Sequence, residues 1–172
     1  FLARRALELY PTKLKTYLDS NAASKQPASH ILWASQALSA KNRSLTFLKL
    51  WDKIKNQKIN EPNFIILAHQ LKDPNIYKIV QPIFNKKDNA ENLIKLANKN
   101  YTAVQSPQLA SIITPAIKQL LNNKTTIELA LDTILKLNIP KLEDAVRSVT
   151  KSTDTPVNQT KLALLIFSKN AE

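Results

Sequence analysis

The chain has 172 residues, with 25 Lys and Arg against 13 Asp and Glu, and its formal net charge of +12 makes a polyanion the expected partner. A 44% hydrophobic content places it among globular rather than disordered chains. It contains neither cysteine nor glycine, which excludes disulfides and thiolate metal sites, and argues against tight primed hairpins and glycine-cradled phosphate loops.

No apolar run approaches the ~20 residues of a membrane span, and the longest, Leu162 to Phe167, is of helix-core size. The cations are spread from Arg4 to Lys169 rather than gathered on one amphipathic face, so nucleic acid is expected over anionic lipid. The opening Phe1-Leu-Ala-Arg4-Arg5-Ala is basic and acid-poor, the wording found beside a transit peptide.

Period-3.6 patterning runs through the chain and sustained alternation is absent, which predicts an all-α fold of about ten short helices. The first spans Leu2 to Tyr10. A second, over Thr12 to Leu18, is started by Pro11. Ser20 to Ala28 reads as a linker. Ser29 is expected to cap a helix carrying Ile31, Ala34, Ala37 and Leu38, which Asn42 stops in place of a left-handed glycine. Ser44 opens a helix with the stripe Phe47, Leu50, Trp51 and Ile54.

Asn60 to Asn63 is a turn before the short helix of Phe64, Leu67, Ala68 and Leu71. Asp73 and Pro74 cap and start the next, which bears Tyr77, Val80 and Phe84 and is kinked or shortened by Pro82. Asp88 and Glu91 mark a charged helix start before Leu93 to Ala97. Ser106-Pro107 opens the strongest amphipathic run (Leu109, Ile112, Ile113, Ala116, Ile117, Leu120), with a kink expected at Pro115. Thr125 and Glu128 have capping-box spacing ahead of Ile127, Leu131, Ile134 and Leu135. Asn138-Ile139-Pro140 ends that helix. Leu142 to Thr150 follows, and Thr155-Pro156 starts the last helix.

One segment carries a more specific pattern. Ile31 to Asn42 reads as a first helix. Leu48-Lys49-Leu50-Trp51, Ile54, Ile59 and Pro62-Asn63 then resemble the second helix and closing turn of a pentatricopeptide repeat. The step from Ile31 to the next first-type helix at Phe64 is 33 residues, close to the period of about 34 of such helical hairpins. The resemblance implies a stack of hairpins, an α-solenoid, because one hairpin cannot bury its own stripe. Its domains are then an N-terminal helical segment (1–20), a linker (21–28) and a helical-repeat domain (29–172). Where the family has glycine the chain has Asn42 and Lys58. At the family's base-reading positions stand Leu32 and Ile65, which cannot hydrogen-bond a base edge. The resemblance therefore implies the fold and association with organellar RNA, in the mitochondrial matrix, rather than a base-by-base code.

Little in the chain suggests an enzyme. His30 and His69 lie far apart with no carboxylate placed to orient either, and Glu128, Asp132, Glu143 and Asp144 read as helix caps and salt bridges. No cofactor or metal is expected. The candidate RNA-binding residues are Arg43, Lys49, Lys53, Lys55 and Lys58 on and after one helix, Lys86 and Lys87, and Lys95 with Lys99. Such lysines give salt-sensitive, sequence-independent phosphate contacts. Trp33, Trp51 and Tyr77 are expected in the core, although each could stack on a base. Three functions stay open: a structural component of the mitochondrial ribosome among RNA and protein neighbours, a free mRNA-stability or translation-activation factor, and an α-solenoid scaffold binding an acidic peptide.

Overall fold

The computed structural model describes residues 2–55, 59–84, 86–150 and 157–169. These contain thirteen α-helices and no strand, so the all-α expectation holds. None of the helices is long and apolar enough to cross a membrane. The chain divides into two compact units, Phe1–Ile76 and Tyr77–Glu172. The first holds α1 (Leu2–Glu8), α2 (Pro11–Leu18), α3 (Asn21–Ser24), α4 (Ala28–Ser35), α5 (Ala40–Ile54) and α6 (Glu61–Gln70), and the boundary falls early in α7 (Pro74–Phe84). The second continues with α8 (Lys87–Lys99), α9 (Tyr101–Val104), α10 (Pro107–Leu121), α11 (Ile127–Leu137), α12 (Glu143–Thr150) and α13 (Val157–Lys169).

The helix starts follow local chemistry where a cap is present. Ser106 Oγ accepts the Leu109 N–H at 3.1 Å, and Asp73 Oδ1 accepts the Asn75 N–H at 2.9 Å, each directly before a proline that needs no hydrogen bond. Asn60 Oδ1 caps α6 through the Asn63 N–H at 3.0 Å, so the expected turn at 60–63 is the helix's first turn. With no glycine to supply positive φ, Asn138 closes α11 in the left-handed region (φ 50°) and Lys141 repeats that geometry three residues later (φ 62°).

Several expected boundaries move. Asn42 does not stop a helix and Ser44 does not open one, since both lie inside α5. The break falls at Gln36–Ser39, where Ala37 and Leu38 turn into the core. Ser29 is not the cap of α4, which begins at Ala28 after Pro27. Thr125 makes no capping box; its hydroxyl bonds Asn123 Oδ1, and Thr126 Oγ1 reaches back to the Leu120 carbonyl. The presumed linker carries one-turn α3, capped by Ser20. Pro82 and Pro115 lie within continuous helices, each removing one backbone donor. The expected start at Thr155-Pro156 lies outside the described residues.

In the first unit α2 packs on α1, α3 and α4, and α4 on α5 and α6. Phe47, Phe64, Leu71 and Ile76 are its most buried large side chains. In the second unit α8, α10 and α11 pack on one another, α11 on α13, and α12 on both α10 and α13. The i, i+3, i+4, i+7 stripe of α10 (Leu109, Ile112, Ile113, Ala116, Ile117) is buried here with Leu93, Ile94 and Leu131. Each fully buried Leu or Ile contributes about 1.5–3 kcal/mol relative to exposure.

Polar clasps in this unit recur at a fixed spacing. The Tyr77 and Ser111 hydroxyls meet at 3.1 Å across 34 residues, joining α7 to α10. Asn98 Nδ2 donates to Asp132 Oδ2 at 2.9 Å, also across 34 residues, and to Thr133 Oγ1 at 2.9 Å, joining α8 to α11. Lys136 completes this second clasp by donating to Asn98 Oδ1 (3.0 Å) and Asp132 Oδ2 (2.7 Å).

Candidate anion-binding surface

Sequence clustering gathered most candidate cations on one helix, and the fold gives several of them internal work. Lys49 and Lys53 sit one turn apart on α5. Lys49 Nζ ion-pairs with Asp19 at the end of α2, and Lys53 Nζ donates to the Ser24 carbonyl of α3 at 2.7 Å. Lys15 reaches the same Asp19 at 2.6 Å. Hydrogen bonds from Lys15 and then Lys49 hold the Asp19 carboxyl below its ordinary pKa. Lys55 pairs with Asp52, and Lys95 with Glu91, both at 2.6 Å.

Arg43 is half-buried, and its Nε is buried with no hydrogen-bond partner among the described residues. Nearby on α5, the Ser44 hydroxyl hydrogen-bonds Asp73. With the backbone N–H groups of Asn75 and Ile76, it keeps that carboxyl below its usual range against the opposing effect of burial. Lys86 is exposed at the start of α8, Lys87 is the first residue of that helix, and Lys99 is exposed near its end. Lys58 lies outside the described residues. The described candidates thus divide between the two units.

The aromatic residues also separate. Trp51 is half-buried against Phe47, with ring centroids 5.8 Å apart, whereas Trp33 is 46% exposed and does not belong to the core. A small apolar cleft of about 20 Å³ lies beside Trp51 among Leu32, Phe47, Ile54 and Leu67; it has room for little more than one water. Leu32 is buried there. His30 and His69 are exposed. Among the described residues no group of three or more His, Asp or Glu side chains could hold a metal.

A concavity lies elsewhere than the clustered cations. In the second unit a groove of about 650 Å³ runs along α10, from its cap to Lys118 in the last turn, and the loop after α11, within the usual size range of small-molecule sites. Ser106, Ser111, Thr114 and Lys118 line it from α10 and its cap, and Asn138 and Lys141 from the loop. Its described lining contains no carboxylate, and neither lysine has an ion-pair partner among the described residues. A signal was present in the sequence: Ser111, Thr114 and Lys118, at i, i+3 and i+7, form a polar stripe beside the apolar one of α10.

Fold and surface define an all-helical, two-unit protein with a cationic exterior and one polar groove in its second unit. Comparison with models of known families, with curated proteins and with solved structures gave no match.

Proposed function

We propose that this chain is an RNA-associated helical-repeat protein of mitochondrial gene expression, acting as a structural component of the mitochondrial ribosome. The observation that carries the RNA reading is the charge balance. Pairing every carboxylate once would still leave a charge of +12, and two of the paired lysines remain largely exposed, Lys49 62% and Lys95 61% accessible at the side chain. Exposed pairs of this kind are weak, so a phosphate can displace them.

The repeat part of the reading is supported by the spacing of the polar clasps. Tyr77 meets Ser111 and Asn98 meets Asp132, both across 34 residues. That is the step expected when equivalent positions of successive helical hairpins face each other. The pairing of α10 with α12 and of α11 with α13 continues the same order. A buried leucine at the matching base-reading position favours a scaffold held by phosphates and protein surfaces over a sequence reader.

The test is RNA retention at graded salt, followed by sedimentation with mitochondrial ribosomal particles. Log affinity should fall linearly with log salt, and the chain should pellet stoichiometrically with one ribosomal subunit. Salt-insensitive or absent RNA retention would discard the RNA reading. Retention without co-sedimentation would leave a free RNA factor in place of the ribosomal component.

A further inference from the structure

The geometry points to a second-unit groove that binds one phosphorylated nucleotide unit, with Lys118 and Lys141 as its phosphate ligands. Its volume of about 650 Å³ accommodates a ligand of that size. Two ammonium groups without carboxylate partners stand in a lining that offers no Asp or Glu among the described residues. Such a site selects an anion. Phosphate is favoured over a peptide carboxylate because lysines bind it as compact point charges, and a phosphate monoester carries up to about twice the charge of a carboxylate.

The remaining lining suits the rest of a nucleotide. The amides of Gln105 and Asn138 supply donors and acceptors for sugar and base edges, and the hydroxyls of Ser106, Ser111 and Thr114, each also bonded within the chain, keep acceptor lone pairs. Pro107, Ala110, Leu137 and Pro140 give an apolar wall. Lys141 holds a left-handed backbone that its side chain disfavours, and this geometry sets it on the groove's rim. The ligand can be a nucleotide within an RNA strand or a free nucleotide, because both present the same phosphate chemistry.

Two probes separate these sources: a labelled twelve-residue oligouridylate followed by anisotropy, and AMP followed by calorimetry. Both are applied to the full chain and to Lys118→Ala/Lys141→Ala. The control Lys25→Ala/Lys161→Ala removes the same charge from exposed positions outside the groove. The groove variant should bind about tenfold or more weakly, and the salt slope for the strand should drop by about 1.4, or 0.7 for each lost contact. The control pair should retain most of the affinity, and circular dichroism should show all variants equally helical.

Loss of strand binding in the groove variant supports the site and the RNA reading together. Loss of AMP binding alone, with no strand binding by the parent chain, supports the site and discards the RNA reading. Equal effects of the two double variants, groove-independent binding, or no binding of either probe overturns the site. Strand binding that survives the groove substitutions leaves the RNA reading intact.

Discussion

The two units use the same residue type in opposite ways. In the first, the helices before α5 run to only four to eight residues, too short to bury wide apolar stripes. Lysines there tie them together: Lys15 and Lys49 share Asp19, and Lys53 holds the end of α3. In the second, α10 buries eight residues and α11 six, and apolar packing holds the helices. Lys136 still serves the clasp of Asn98 and Asp132 there, but Lys118 and Lys141 line a groove with no ion-pair partner among the described residues. An unpaired cation is therefore more informative than a cluster of cations.

The sharpest way to break this contrast is to damage the second unit's core. Ile113→Ala should cost about 2–5 kcal/mol, since the side chain is fully buried in α10. Urea denaturation read by circular dichroism checks it, and a loss under 1 kcal/mol would mean that the apolar core does not hold this unit. Thr133→Val comes next. Its hydroxyl is buried, donates to the Leu129 carbonyl at 2.7 Å and accepts from Asn98. Its removal leaves Asn98 short of a partner and should cost about 1–3 kcal/mol.

Smaller effects probe the loop after α11. Asn138→Ala should destabilise by about 1 kcal/mol, because alanine keeps the Cβ that crowds the following carbonyl at positive φ but lacks the polar amide that offsets it, while Asn138→Gly should be close to neutral. Lys141→Gly should leave stability unchanged or raise it by up to about 1 kcal/mol while weakening nucleotide binding. Melting and anisotropy on one preparation would show that opposition, and a parallel loss of both would contradict the role given to Lys141.

The smallest effect is expected in the first unit. Asp19→Asn removes exposed pairs and should cost under about 1 kcal/mol. Because the carboxyl pKa is lowered on folding, Asp19's contribution is present above the ordinary carboxylate pKa and is lost as pH falls below it. The parent and Asp19→Asn stability curves should converge at acid pH. A gap that persists below pH ~3 would contradict the assignment.

The sequence was most legible where structure is locally determined. Ser106-Pro107 and Asp73-Pro74 announced their helices because the cap oxygen and the N–H that donates to it lie within three residues, and Asn138 announced a stop because few residues tolerate its backbone. Gln36–Ser39 carries no glycine or proline, and its break is set by the burial of Ala37 and Leu38, a tertiary effect. One-turn α3 and α9 are too short to show a period. Trp33 was expected inside because tryptophan usually is, yet its neighbours Ile31 and Leu32 take the buried positions. The candidate surface was legible as charge but not as place. Lys118 and Lys141 are 23 residues apart, and only the packing of α10 beside the loop after α11 puts them on one groove.

The matched spacing of the two clasps also constrains how this chain can change in length. Inserting one residue into α11 ahead of Asp132 would rotate that side chain by about 100° around its helix, carrying it off Asn98 and a polar group into the apolar seam. Inserting a whole hairpin of like length would restore the phase. Indels in this half of the chain should thus be accepted in steps of one hairpin, or in exposed turns such as Asn122–Thr125, and purged elsewhere.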